Sequence, residues 1–440
     1  MSFLHSQSSE CLKSELDLFS VPPTQTSIEG GGYVEYNPIS SLNHAAPIEF
    51  VVNGSGQEYI DLANTQIYVK TQIVQANGDN IPNDAAVGPV NNLLHSLFSE
   101  VDVKVNDTLL SSTNNTYSYR SYLETLLTYG KDAKESQLTS SLFYKDTSGH
   151  MDVAVVDGAN ATNAGLNKRQ TFFSESRITE MIGRIHADLF FQEKYLPSDV
   201  GLRLRFVRNK DSFTLMSAQV NASFQLRILD CKLYVRKVKI SPTVFLAHAR
   251  AFEIGNAKYP IKRVVCKTFT VPRGNMDFSQ ENLFTGQLPT RLVLGCVDND
   301  AFNGTYIKNP FNFKHLNLSQ LKVYIDGQHQ YIKPLDLNFA QNQYAAAYMT
   351  LYSGTGKLFK DEGNFIERTE YCNGYTLYAF DLTPDFAEEG HFNLVKEGSV
   401  RVDIKFDLPL PRTINVIAYA EFENIIEIDR ARNILFDYSN

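Results

Sequence analysis

Ser353-Gly-Thr-Gly-Lys357 is the run in this chain whose residue types come nearest to cradling a phosphate, through glycine-exposed backbone N–H groups and a lysine. Its spacing fails that chemistry. Leu351 stands where the first glycine is needed, and Leu358 where a Ser or Thr hydroxyl would meet a magnesium ion. Asp298-Asn-Asp300 with Gly304 offers oxygen ligands for calcium, but the alternating acids and terminal glutamate of a calcium loop are missing. A polar turn accounts for it better. The sequence holds no G-x-S-x-G elbow and no H-E-x-x-H, and its nine histidines are dispersed. The five cysteines (Cys11, Cys231, Cys266, Cys296, Cys372) are odd in number and form no C-x-x-C pair. They are expected to be small buried hydrophobes rather than zinc ligands or disulfides. No catalytic residue, cofactor or metal ligand is therefore expected, and the chain is read as a non-enzyme.

The charged residues give a more specific signal. Net charge is −8, yet Gly201–Asn275 holds fifteen Lys and Arg against three acids, a local +12 that leaves −20 elsewhere. Arg203, Arg205 and Arg208 alternate with Leu202, Leu204 and Phe206, and Lys232, Arg236, Lys237 and Lys239 follow. These seven cations are the candidate interface. Contact with an acidic neighbouring protein comes first, phosphate contact second and solvated strand faces close behind. Interleaved aromatics are few, which argues against base stacking.

Alternating strands must position these groups. Val101, Val103 and Val105 share one face of a strand, with Asp102 and Lys104 on the other. Ser399–Phe406 repeats the pattern, with Val400, Val402, Ile404 and Phe406 opposed to Arg401, Asp403 and Lys405. The order of elements also repeats. The strand at Glu100 leads to a polar turn and a helix over 117–127; the strand at Gln320 leads to Asp326-Gly327 and an amphipathic stretch over 336–352. Gly201–Phe206 and Ser399–Phe406 close the two halves alike. Such repetition predicts two tandem copies of one β-rich unit, each a sandwich or barrel.

The expected organisation is an arm over 1–45, a first unit over 46–240, a second over 241–424 and a tail over 425–440. Val21-Pro-Pro and Gly30-Gly-Gly in the arm cannot continue a helix or a central strand. Lys237–Pro242 is expected to join the units. Residues 146–170 and 353–374 are expected to be long exposed loops. No apolar run is long enough for a transmembrane helix, and the first residues lack the apolar core of a secretory signal, so synthesis in the cytosol and no membrane insertion are expected.

A series of segments resembles the double jelly-roll major capsid proteins, or hexons, of the adintovirus and Maverick/Polinton group of DNA viruses. In order they are Leu18–Thr26 with Tyr36-Asn-Pro38, Tyr59-Ile-Asp-Leu62, Pro89–Phe98, Tyr117–Glu124 and Asn309-Pro-Phe-Asn-Phe313. The resemblance covers most of the chain. It implies an all-β double jelly roll, two tandem eight-stranded sandwiches with short helices in the loops. It further implies a homotrimer forming a pseudo-hexameric capsomer, which tiles an icosahedral shell in the virion. Penton and minor capsid proteins, and packaged DNA at the inner face, are implied as partners. Residues 146–170 and 353–374 become candidates for an outer tower, and the arm and tail for clamps between neighbours. Copies of such genes also reside in animal genomes, so a domesticated host protein, or a lectin-like sandwich, are the competing functions.

Overall fold

In the computed structural model, residues 5, 7–42, 46–54, 56–82, 85–156, 158–327, 333–386 and 391–438 are described. The strands of the first half are β1 (Ile28–Tyr36), β2 (Ile48–Val52), β3 (Glu58–Gln75), β4 (Val87–Pro89), β5 (Phe98–Val105), β6 (Thr108–Ser111), β7 (Thr179–Arg184), β8 (Leu202–Arg208), β9 (Leu215–Ser217) and β10 (Phe224–Ile240). Those of the second are β11 (Ala257–Val271), β12 (Asp277–Gln287), β13 (Arg291–Asp298), β14 (Leu318–Ile325), β15 (Leu335–Asp336), β16 (Leu377–Asp381), β17 (Glu397–Phe406), β18 (Ile414–Ile428) and β19 (Ile434–Phe436).

The first half packs sheet β1-β10-β3-β7 against sheet β2-β8-β5-β6; the second packs β11-β18-β13-β16 against β12-β17-β14-β15. With the short β4–β9 pair and the terminal β19 set aside, each half numbers its strands one to eight. Both then follow the same winding, 1-8-3-6 on one sheet and 2-7-4-5 on the other. Every pairing between these strands is antiparallel. This is jelly-roll connectivity, present twice.

Alternation drives the sheets. In β17, Val400, Val402, Ile404 and Phe406 are buried while Arg401, Asp403 and Lys405 stay wholly or partly in solvent, as the sequence pattern requires. Cys231, Leu233, Val235 and Lys237 of β10 alternate onto one buried face, and past a bulge between Tyr234 and Arg236 the period shifts so that Val238 and Ile240 are buried as well.

The structure redraws several elements. Gly30-Gly-Gly32, expected within the arm, lies in β1, an edge strand paired on one side only with β10. An edge tolerates glycines that a central strand would not. The two halves are joined by a helix, Pro242–Ile254, capped by the Ser241 hydroxyl accepting from Val244 N at 3.4 Å. The amphipathic stretch over 336–352 is helical only over Ala345–Ser353. Asn338 caps a 3₁₀ turn at Phe339–Gln341, and Asn342 adopts φ 56°, which ends it. Residues 146–170 are not simply an exposed loop: Met151 and Ala154 are buried, and Ala164–Thr171 is helical.

Candidate functional site

The motifs that could have carried chemistry are structural here. Ser353 ends a helix, and Lys357 Nζ donates to Thr128 O at 2.6 Å across the seam between the sandwiches. Gly354 presses so closely on β16 that a Cβ there would stand 2.4 Å from Ala379 O. The Asp298 carboxylate receives Lys314 at 2.8 Å, Arg412 at 3.0 Å and Lys308 at 3.3 Å. Burial alone would raise its pKa, but these cations hold it below the usual carboxylate range. Its charge is thus matched by side chains. Among the described residues no cluster of His, Cys, Asp and Glu could hold a metal ion.

The seven basic candidates do not converge. Arg203 and Arg205 project from the outer face of the β2-β8-β5-β6 sheet, whereas Lys232, Arg236, Lys237 and Lys239 belong to β10 in the opposing sheet. Most meet acids of the same chain. Arg205 lies 3.0 Å from Glu100 and 2.9 Å from Asp102. Lys232 pairs with Glu35 at 2.7 Å, Lys239 with Glu29 at 3.0 Å, Arg236 with Asp61 at 3.3 Å and Lys237 with Glu58 at 3.4 Å. Arg208 donates to Leu226 O at 2.5 Å. Arg203 is exposed and makes no ion pair among the described residues.

The organised polar centre lies elsewhere, beneath the helix Tyr117–Thr128, whose residues are buried as far as Leu127. Arg120 reaches Glu124 at 2.9 Å and Asp188 at 2.7 Å. Glu124 in turn meets His186 Nδ1 at 2.6 Å, and the His186 ring stands edge-on to His95 at 4.5 Å. His95 Nδ1 contacts the Tyr117 hydroxyl at 3.1 Å. Asp188 accepts from Val264 N of the second sandwich at 3.1 Å, so the network crosses the seam. Burial raises the Glu124 pKa, but Arg120 and His186 overcome it and the net shift is down. Burial raises that of Asp188 despite Arg120. Burial, aided by the charge of His186, drives that of His95 far down. An Arg and a Glu four apart in an apolar helix were the sequence signal for this centre; nothing local announced His95 or His186.

A second polar seam ties the loops. Asp146 and Arg169 pair at 2.7 Å, both wholly buried, and Asn309 Nδ2 donates to Asp146 at 2.9 Å. Lys145 meets Glu370 at 2.5 Å. Residues 146–170 and 353–374, expected as separate surface loops, thus pack on each other's sandwich. Apolar clusters cross the seam as well: Tyr119, Tyr122, Leu126 and Phe213 share one with residues of β13, β16 and β18, and Ile426 and Ile428 of β18 join that of the first sandwich. The two sandwiches are packed against each other by polar and apolar contacts alike.

This geometry can be set against known structures. A chain of the Sputnik virophage superposes with a TM-score of 0.66, covering 99% of this chain and 94% of that one at 12% identity. The Faustovirus major capsid protein gives 0.56, covering 93% and 92% at 10% identity. The fold is that of the double jelly-roll capsid proteins. The capsid of virus PBCV-1 gives 0.59, with 96% of this chain and 100% of that one covered at 10% identity. No family model matches the sequence. An uncharacterized protein of Caenorhabditis elegans is 28% identical over 430 residues, 95% of this chain and 99% of its own length.

Proposed function

We propose that this double jelly roll is a structural capsid protein that acts by self-assembly. The duplicated winding carries the proposal. Two like sandwiches locked into one body give a chain two similar edges, and three such chains make a ring with six similar lobes. Such a pseudo-hexamer fills a six-neighbour position in an icosahedral shell with one gene product. The rigid seam suits the task, because a tile must hold its shape while many weak contacts act together. The fold likeness spans nearly the whole of the capsid chains compared, which supports the same reading. On it, the protein resides in the virion, self-contacts come first, and penton and minor capsid proteins and packaged DNA are further partners. The adintovirus and Maverick/Polinton group is the proposed origin. Residues 46–240 and 241–424 are the two proposed lobes, with β1 added to the first. Among the basic candidates, Arg203 is assigned to an acidic neighbour.

The nematode relative favours a second reading. A full-length match in an animal fits a domesticated gene whose product keeps the fold as an interaction scaffold. One experiment separates the two. The full chain is expressed, its mass measured by light scattering and its particles viewed by electron microscopy. Trimers or shells are expected; a chain that stays monomeric at high concentration overturns the capsid reading and favours the scaffold.

A further inference from the structure

The helix Pro242–Ile254 is mostly apolar, yet none of its residues is buried. Val244 and Phe245 rest on a small cluster of Tyr59, Val238 and Ile240, and His248 meets the Tyr59 hydroxyl at 2.9 Å. Leu246, Ala247, Arg250, Ala251 and Ile254 face solvent, Ile254 at 92% exposure. A helix exposing this much apolar surface is stable in water only when something covers it.

The same corner of the molecule releases a second uncovered apolar segment. Residues 7–27 are exposed throughout, among them Leu12, Leu16, Leu18, Phe19 and Val21. Ser241 N, at the helix cap, donates to Ser27 O at 2.8 Å, so arm and helix leave the body side by side. They do not fold together. Gln25 closes the arm's root with hydrogen bonds to Ile28 N at 2.8 Å and Ile28 O at 3.1 Å. Pro22-Pro23 then holds the chain extended, at about 3 Å per residue, and Leu12–Phe19 stay exposed instead of covering their own helix. The charges match too. The described arm carries Glu10, Glu15 and Asp17 against Lys13. Arg250 lies on the open helix face, the exposed Glu253 is met by Arg430 at 3.6 Å, and Arg432 stacks on Phe252 at 4.4 Å, which leaves the helix end net positive.

We infer that the Leu12–Val21 segment of one copy packs on the Pro242–Ile254 helix of the next. This rests on the self-assembly reading and names its contact. Each copy gives an arm and receives one, so the contact repeats from copy to copy, and it forms a ring where the rotation between copies closes. It hides two apolar surfaces that neither copy can hide alone.

Cys11 makes the test direct, being an exposed free thiol in the arm. Two differently tagged full-length chains are mixed. One is unaltered; the other carries Cys11→Ser and Ile254→Cys. Copper–phenanthroline oxidation of the oligomeric fraction is expected to join the two tags through a disulfide between position 11 of one and 254 of the other. Leu18→Asp with Phe19→Asp in the unaltered chain, both at exposed positions, should lower the yield roughly tenfold or more. Oligomers without the cross-tag bridge, or a bridge insensitive to Leu18→Asp and Phe19→Asp, overturn this contact and leave self-assembly standing. Absence of any oligomer removes both. Flotation of the chain with phosphatidylcholine vesicles, abolished by Leu246→Asp, would assign the helix to a lipid surface and overturn the arm contact.

Discussion

The Tyr122 ring of the first sandwich lies flat on the Phe311 ring of the second, centroids 4.2 Å apart and planes 6° apart. Phe313 and Phe143 close in around Tyr122, and the stack sits in the core that the two halves share. Two sandwiches of one chain need not adhere. Inter-domain contacts are commonly small and polar, and they permit motion. Here an aromatic stack and two buried ion-pair networks fuse them.

Phe311→Ala should therefore cost about 3–5 kcal/mol, the usual toll of deleting a buried aromatic. Because the loss falls on the seam, unfolding should also change character. Calorimetry of the wild-type chain is expected to show one transition, and of Phe311→Ala two, with the sandwiches melting apart. A single transition with an unmoved midpoint would show that the seam does not couple the halves.

Acid should weaken the protein through His95. Burial and His186 push its pKa well below 6.5 in the folded state. The unfolded chain therefore binds a proton first as pH falls past 6.5, and stability drops with it, by up to about 1.4 kcal/mol per pH unit per proton. The loss continues until the folded pKa is reached. Glu124, held below 4.5, adds a loss of the same sign only at lower pH; Asp188, raised by burial, opposes it. Urea midpoints between pH 7.5 and 5 should thus slope downward, and His95→Phe should flatten the slope while imposing a pH-independent cost. An equal slope in His95→Phe would place the titrating group elsewhere.

The β17 register gives a sharper contrast between neighbours. Ile404 is 2% exposed and faces the core; Lys405 faces solvent. Ile404→Asp should cost several kcal/mol by burying an unpaired charge, and Lys405→Asp well under about 1 kcal/mol. Similar denaturation midpoints for the two variants would contradict the register.

The fold was legible where the pattern is local. Val400, Val402, Ile404 and Phe406 alternate without a break, and the repeated strand, turn and helix order exposed the duplication. What stayed hidden depends on distant partners. Nothing in Gly30-Gly-Gly32 says that β10 will pair with it across two hundred residues. The irregularity in β10 buries Val238 next to Lys237, against the strand period. The basic run was legible as composition but not as a surface, because strand order sends Arg203 and Lys232 to opposite faces. The acids that meet this run are remote from it in sequence: Glu100 and Asp102 pair with Arg205, Glu35 with Lys232 and Glu29 with Lys239. Asp188 and Val264, which carry the seam, belong to segments with no motif at all.

Those internal pairs also decide how salt should act. An assembly steered by charge weakens as ionic strength rises, since screening reaches about 10 Å at 0.1 M and 3 Å at 1 M. The uneven −20 and +12 balance predicts strong steering, but a cation already paired with its own chain contributes little to a neighbour. Arg205 and Arg203 separate the cases within one strand. Arg205→Ala leaves Glu100 and Asp102 facing one another, and burial together with Asp102 already raises the Glu100 pKa. Its 38% exposure screens the effect, so the cost to folding should be at most about 1 kcal/mol, with assembly unaltered. Arg203→Glu should leave the melting temperature in place and slow oligomer formation, most clearly at low salt. Light-scattering growth curves from 50 mM to 1 M salt measure this. If growth of both variants matches wild type at every salt concentration, the outer face of β8 meets no charged neighbour and the contacts that build the particle are apolar.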